Sequence, residues 1–227
     1  MTTADDIIAG LANFDELIAN APNDPTHEEI EAGRADSEKA ALQARQAAVL
    51  SSDHGWPAKA LHDVQNVPLR GEKWQLAFYT ALEIVRNNGI VILYGVRGPG
   101  KTRMASELAV AIGFGEYRTA MDFFVDVRAS FKPRSTVDEG ELIDALATTR
   151  FLVLDEMQVR GGTVFEGNML THLIDKRYSG MLPTMLIANL THDEISASLG
   201  ASIVDRVAEN GAVICCDWPS FRSNQRP

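Results

Sequence analysis

Cysteine is nearly missing from this chain of 227 residues: there are two, Cys215 and Cys216, side by side in the run AVICC. Neighbouring cysteines rarely meet disulfide geometry, and two thiols are too few for a structural zinc site. A disulfide scaffold is thereby excluded, and the pair is expected to be two buried strand thiols. The five histidines, His27, His54, His62, His172 and His192, show no ligand spacing, so a structural metal is not expected either. No window approaches the ~18 uninterrupted apolar residues of a membrane span, and no membrane partner is expected. The opening MTTADDIIAG carries two aspartates where a secretory leader would carry positive charge, which points to a cytoplasmic protein. Basic residues are in deficit as well, with 21 Lys and Arg against 31 Asp and Glu and a net charge of −10. A protein held mainly by nucleic-acid phosphates usually carries the opposite field. Any contact with DNA must then be local or shared among subunits.

What is present divides near residue 55. Residues 1–55 contain no strand-like run but hold Pro22, Pro25 and the acidic stretch HEEIEAGRADSEK. Ile7, Ile8, Leu11, Phe14, Leu17 and Ile18 fall at spacings that share one helical face, and Thr3 with Asp6 suits a capping box. Residues 27–50 read as a charged, alanine-rich helix with little to bury. Such an arm is more often a docking or oligomer-contact element than a self-sufficient domain. Its stripe Ile7, Leu11, Phe14 and Ile18 is the candidate partner-binding face.

Residues 56–227 alternate helix and strand. An amphipathic helix over 72–88 places Trp74, Phe78, Leu82 and Val85 on one face and stops at Asn88-Gly89. IVILY (90–94) is a wholly apolar run, as a buried parallel strand requires, and residues 102–112 return to a helical pattern. Further strands are expected at FLVLD (151–155), TMLIAN (184–189) and AVICC (212–216). That rhythm implies an α/β fold, a parallel sheet flanked by helices.

The chemistry lies between these elements. Residues 95–102, GVRGPGKT, fit GxxxxGK[ST] at every fixed position and link a strand to a helix. Backbone N–H groups of such a turn, which here holds Gly95, Gly98, Pro99 and Gly100, meet phosphate oxygens, and Gly98 and Gly100 leave room where side chains would block the approach. Lys101 reaches the β- and γ-phosphates, Thr102 ligates magnesium through its hydroxyl, and Arg103 completes the nucleotide-binding set. Asp155 and Glu156 follow an apolar strand downstream, which puts both carboxylates beside the loop. Asp155 would hold the magnesium through its water shell, and Glu156 would orient the attacking water. Asn189, ending the next strand, can bridge that water and the γ-phosphate; its plainer alternative is a strand-end turn residue. Together these residues predict an ATPase using ATP and Mg2+.

Four segments carry a more specific likeness: VLDEMQ, FEGNMLTHLIDKRYSGMLPTMLIANLT, LGASIVDRV and CDWPSFRS. Taken in order, they resemble the DnaC-type helicase loaders and the related IstB-type transposition ATPases. The resemblance spans residues 70–222 or so and implies an AAA+ P-loop core behind a small helical N-terminal arm. It further implies that Arg206 is an arginine finger reaching the ATP of a neighbouring subunit, with self-association through the ATP site. The alternative for Arg206 is a surface arginine paired with Asp205 or Glu209 on its own helix. The cluster Arg128, Phe131, Lys132 and Arg134 would then touch single-stranded DNA, its cations on the backbone and the ring on a base, unless it is only a solvated loop.

The chain departs from the family at Ser202, where some loaders have a second arginine, and at Gln158, where glycine is common. Nothing after Arg222 suggests a helical lid, so Arg222 or a neighbour is expected to take that part. The resemblance implies a loader that delivers a DnaB-type replicative helicase onto single-stranded DNA. The alternatives are an IstB-type helper assembling on duplex DNA, or a nucleotide-gated binding module with little turnover.

Overall fold

A computed structural model describes residues 27–51, 54–66, 71–130, 139–159 and 161–221. The chain forms two compact units, residues 1–41 and residues 42–227. The docking stripe Ile7, Leu11, Phe14 and Ile18 lies outside the described residues. Helix α1 (His27–Ser51) is the expected charged helix, and its described side chains between Arg34 and Ala40 are exposed.

The second unit begins at Leu42, earlier than the division near residue 55. Val49 is buried in the same apolar cluster as Trp56, Trp74 and Leu108. Arg45 and Leu42 pack so closely on Gly113 that a Cβ there would lie 2.9 Å from Arg45 Cβ. One valine in a charged, alanine-rich helix is too faint a pattern to mark a core residue.

The sheet has five parallel strands in the order β2-β3-β4-β1-β5. β1 (Ile90–Tyr94) lies between β4 (Thr184–Ile187) and β5 (Gly211–Cys215), and β3 (Leu152–Asp155) lies between β4 and β2 (Glu116–Thr119). Alternation along β1 feeds two cores. Val91 and Leu93 enter one with Trp74, Phe78 and Leu108, while Ile90 and Ile92 enter the other with Phe123, Leu170 and Ile203. Each such side chain contributes about 2 kcal/mol of hydrophobic stabilisation, which is why the run is apolar throughout. The first core is roofed by α2 (Ala58–Asn66), α3 (Glu72–Arg86) and α4 (Lys101–Ile112). The second is roofed by α5 (Ala120–Ser130), α6 (Glu139–Thr148), α7 (Val164–Ser179), α8 (His192–Leu199) and α9 (Ala201–Asn210).

Both edges differ from the sequence expectation. Strand β2, EYRT, shows no apolar run because an edge strand needs little burial, and only Tyr117 of its four residues is buried. At the end of β5 the two thiols part: Cys215, its last residue, is exposed, and Cys216, just beyond it, is buried. The expectation of two buried thiols is corrected by alternation at a sheet edge. Burial pushes the Cys216 thiol up to about 12, so it stays protonated and inert.

One charged side chain belongs to the core. The fully buried Arg177 donates to Thr184 Oγ1 at 2.8 Å, to the carbonyls of Leu146 and Thr149 at 2.7 and 2.8 Å, and to Pro183 O at 2.6 Å. Burial lowers its pKa to about 10, and it remains a cation at neutral pH. It ties the end of α7 to the start of β4. No helix among the described residues is long and apolar enough to cross a membrane.

Candidate functional site

The loop after β1 turns at Gly95, whose N–H donates to Leu190 O, and ends at Gly100, the residue preceding α4. Lys101 opens the helix and is buried, its ammonium donating to Gly95 O at 2.9 Å and Val96 O at 2.7 Å. A buried lysine requires such acceptors, and a phosphate at this helix N-terminus offers stronger ones.

The tail after β5 straps this loop from behind. Trp218 Nε1 donates to Pro99 O at 2.7 Å, and Phe221 N to Gly98 O at 3.1 Å. Gly98 has φ 107°, and a Cβ there would lie 2.1 Å from Ser220 Oγ. The expectation that this glycine only clears room for phosphate is therefore amended: the space beside it is filled by the tail. Arg222 lies outside the described residues.

The carboxylates meet the loop as expected. Asp155, buried at the end of β3, accepts from Thr102 Oγ1 at 2.6 Å and from its neighbour Glu156 N at 2.6 Å. A third donor was not foreseen: the Tyr117 hydroxyl, 3.0 Å from the same Oδ2 that Thr102 uses. Burial, and then the Asp155 charge, push the phenol upward, so it keeps its proton and donates. Glu156 is exposed, lines the cleft and takes φ 58°, a left-handed backbone that strains a residue with a side chain by about 1 kcal/mol. Such strain is kept where a side chain must be aimed.

Asn189 also lines the cleft, and its N–H donates to Gln158 Oε1 at 2.9 Å. Gln158, a departure in the sequence, sits in the single 3-10 turn after β3 (Met157–Val159) and pins the end of β4 to it. Arg103 reaches the cleft, but its guanidinium pairs with Glu107 one turn along α4, at 2.7 Å.

These residues surround a cleft of 430 Å³, within the range of small-molecule sites. Pro57 and Ala60 at the start of α2 face it from one side and Phe221 from another. No motif in the sequence surrounds Pro57 or Ala60, whereas Phe221 belongs to the CDWPSFRS tail, beside Arg222. The donor set suits magnesium with a nucleotide. A Thr102 hydroxyl that gives its proton to Asp155 turns its lone pairs outward, and a hard cation prefers such oxygens together with waters.

Arg206 stands outside this cleft, on α9. Its Nη2 lies 2.8 Å from Asp175 Oδ1, its Nη1 donates to Ser202 O at 2.6 Å, and its guanidinium carbon lies 5.6 Å from the centre of the Tyr178 ring. Its partners are thus on α7 and one turn back on α9, not Asp205 or Glu209. Its Nε is buried with no partner among the described residues. Arg128 pairs with the buried carboxylate of Glu166, which also closes the capping box with Thr163 at the start of α7. Phe131, Lys132 and Arg134 lie outside the described residues.

Comparison with known proteins follows the same lines. The family model described as IstB-like ATP binding protein matches residues 36–227. The replicative helicase loader DnaC of Buchnera aphidicola subsp. Acyrthosiphon pisum is 26% identical over 169 residues, 72% of this chain and 67% of that protein. DnaC of Escherichia coli K12 is 25% identical over 136 residues, 58% of this chain and 56% of that protein. The crystal structure of the DnaC helicase loader superposes with a TM-score of 0.57 at 15% identity, covering 67% of this chain and 94% of that one. The fold is the AAA+ core that the sequence implied.

Proposed function

This chain belongs to the IstB-like ATP-binding protein family, and on that premise we propose that it is a magnesium-dependent ATPase that loads a DnaB-type ring helicase onto single-stranded DNA as replication begins. One observation carries the ATPase reading. The P-loop hydroxyl of Thr102 is already bonded to the strand-end carboxylate of Asp155, with Glu156 beside it facing the cleft. The names of the relatives support the loader reading.

In this reading Lys101 exchanges its loop carbonyls for phosphate oxygens, while backbone N–H groups of residues 95–102 hold the rest of the triphosphate. Thr102 and Asp155 hold the magnesium, which supplies positive charge against the phosphate oxygens. Glu156 orients a water and takes its proton, and the Asn189 amide steadies that water against the γ-phosphate. Arg206 leaves Asp175 and reaches the ATP of the next subunit, where a guanidinium stabilises transition-state charge. Its position outside its own cleft supports a role in trans. The arm, with its stripe Ile7, Leu11, Phe14 and Ile18, docks on the helicase. Arg128, Phe131, Lys132 and Arg134 contact the DNA strand.

The test is binding to the replicative helicase of the same organism, with and without residues 1–41. A tight complex that disappears with the arm supports the loader reading. A full-length chain that ignores the helicase and forms ATP-dependent filaments on duplex DNA sinks it in favour of the transposition helper.

A further inference from the structure

Asp155 is the residue on which the magnesium reading turns, and three donors hold it. Two come with the motif: the Thr102 hydroxyl on Oδ2 and the Glu156 N–H on Oδ1. The third comes from outside any motif. Tyr117 sits on the edge strand β2 in register with Val153 of β3, two residues short of Asp155, and its hydroxyl donates to Oδ2.

The phenol is itself held from behind. Its ring lies 5.4 Å from that of Trp56, whose indole N–H donates to Gly115 O at 3.1 Å. Its own backbone N–H donates to His54 O at 2.9 Å, so the segment before α2 caps the free edge of β2. The ring is packed in the same core cluster as Trp56 and Phe151. A hydroxyl on so constrained a ring has one partner direction, and the Asp155 carboxylate occupies it.

We propose that Tyr117 is a positioning residue for the magnesium-holding carboxylate, fixing the rotation of Asp155 so that the site takes a divalent cation together with ATP. The argument rests on the nucleotide reading above. When a carboxylate must accept from Thr102 and also face a hydrated cation, free rotation about its Cα–Cβ bond scatters its oxygens. A donor anchored in the core removes that freedom before the ligand arrives. A plain apolar residue at this position would pack equally well but leave Asp155 to two donors.

The experiment is calorimetry on the full chain, wild type and Tyr117→Phe, titrating ATP in EDTA and at a series of Mg2+ concentrations. Phenylalanine keeps the ring against Trp56 and removes only the hydroxyl. The expected result is unchanged ATP affinity in EDTA with the Mg2+ half-saturation point raised roughly tenfold, the usual scale for losing a hydrogen bond behind a metal ligand. An unchanged Mg2+ dependence overturns the proposal, and so does an equal loss of affinity with and without Mg2+, which would mark Tyr117 as packing only. Should Tyr117→Phe fail to fold by circular dichroism, 3-fluorotyrosine at position 117 keeps the hydroxyl and carries the test. Its fluorine resonance should move when Mg2+ is added to the ATP-bound chain, and a resonance indifferent to Mg2+ overturns the idea. A wild-type chain that takes no ATP under either condition overturns the nucleotide reading and this inference with it. Normal wild-type binding beside an unaffected variant overturns this inference alone.

Discussion

Compare the cleft around Asp155 with the face around Arg206. In the cleft the polar groups are already held by the fold: Asp155 by three donors, Lys101 by two loop carbonyls, Asn189 by the side chain of Gln158. On the α9 face Arg206 rests against Asp175 and Tyr178, both of its own chain, and one of its donors is buried without a partner among the described residues. The side chain of Asp175 is 39% exposed and that of Arg206 24%. A half-wet pair of this kind is worth about 0–1 kcal/mol and is readily exchanged for a better anion. One region is fully held within the chain, and the other is, on the proposed reading, parked. A site shared between subunits would require this asymmetry, because only the second half would have to move when a neighbour arrives.

The largest expected effect tests the parked half. Arg206→Ala should reduce steady-state ATP hydrolysis by the assembled protein on the order of a thousandfold, while ATP binding by the isolated chain stays the same. Equal hydrolysis in the variant would remove Arg206 from the reaction and break the comparison. Next comes a control on arginine itself. Arg177→Met should lower unfolding stability in urea by about 3 kcal/mol, since Leu146 O, Thr149 O and Pro183 O would lose a shared donor inside the core. Arg177→Lys should not restore it, because an ammonium lacks the planar fork that spans four oxygens.

A smaller effect probes how much of the cleft's order comes from the tail. Trp218→Phe removes the bond to Pro99 O and should cost about 1 kcal/mol in thermal stability, with ATP affinity several-fold weaker. A stability loss with no change in affinity would make the tail a structural closure only. Smallest is the release of the parked arginine. Asp175→Ala should change stability by less than about 1 kcal/mol and should leave hydrolysis equal or modestly raised. A loss of hydrolysis comparable with that of Arg206→Ala would show Asp175 to hold the arginine in its working pose, the reverse of parking.

How far the site could be read beforehand varied with the physics of each residue. The P-loop, Asp155, Glu156 and Asn189 were legible because each ends an apolar strand, and sheet geometry brings strand ends of β1, β3 and β4 to one edge. Tyr117 was not legible. It lies on a strand whose other residues, Glu116, Arg118 and Thr119, are polar, so neither periodicity nor motif marks it. Gln158 was visible only as an oddity; its bond to Asn189 depends on the 3-10 turn after β3 folding back across the end of β4. Arg128 was read by its basic neighbours, whereas its partner Glu166 stands far along the chain at the start of α7.

By itself the sequence determined the order of the four apolar strands, the parallel α/β class and the presence of a phosphate-binding loop motif, because local periodicity and a fixed-spacing loop depend on near neighbours alone. The tertiary structure alone decided which side chains share an oxygen of Asp155, which arginine is core and which is surface, and what fills the space beside Gly98. Those outcomes depend on residues far apart in the chain, such as Tyr117 and Asp155 or Arg177 and Leu146, arriving within about 3 Å of one another, and no local pattern encodes the meeting.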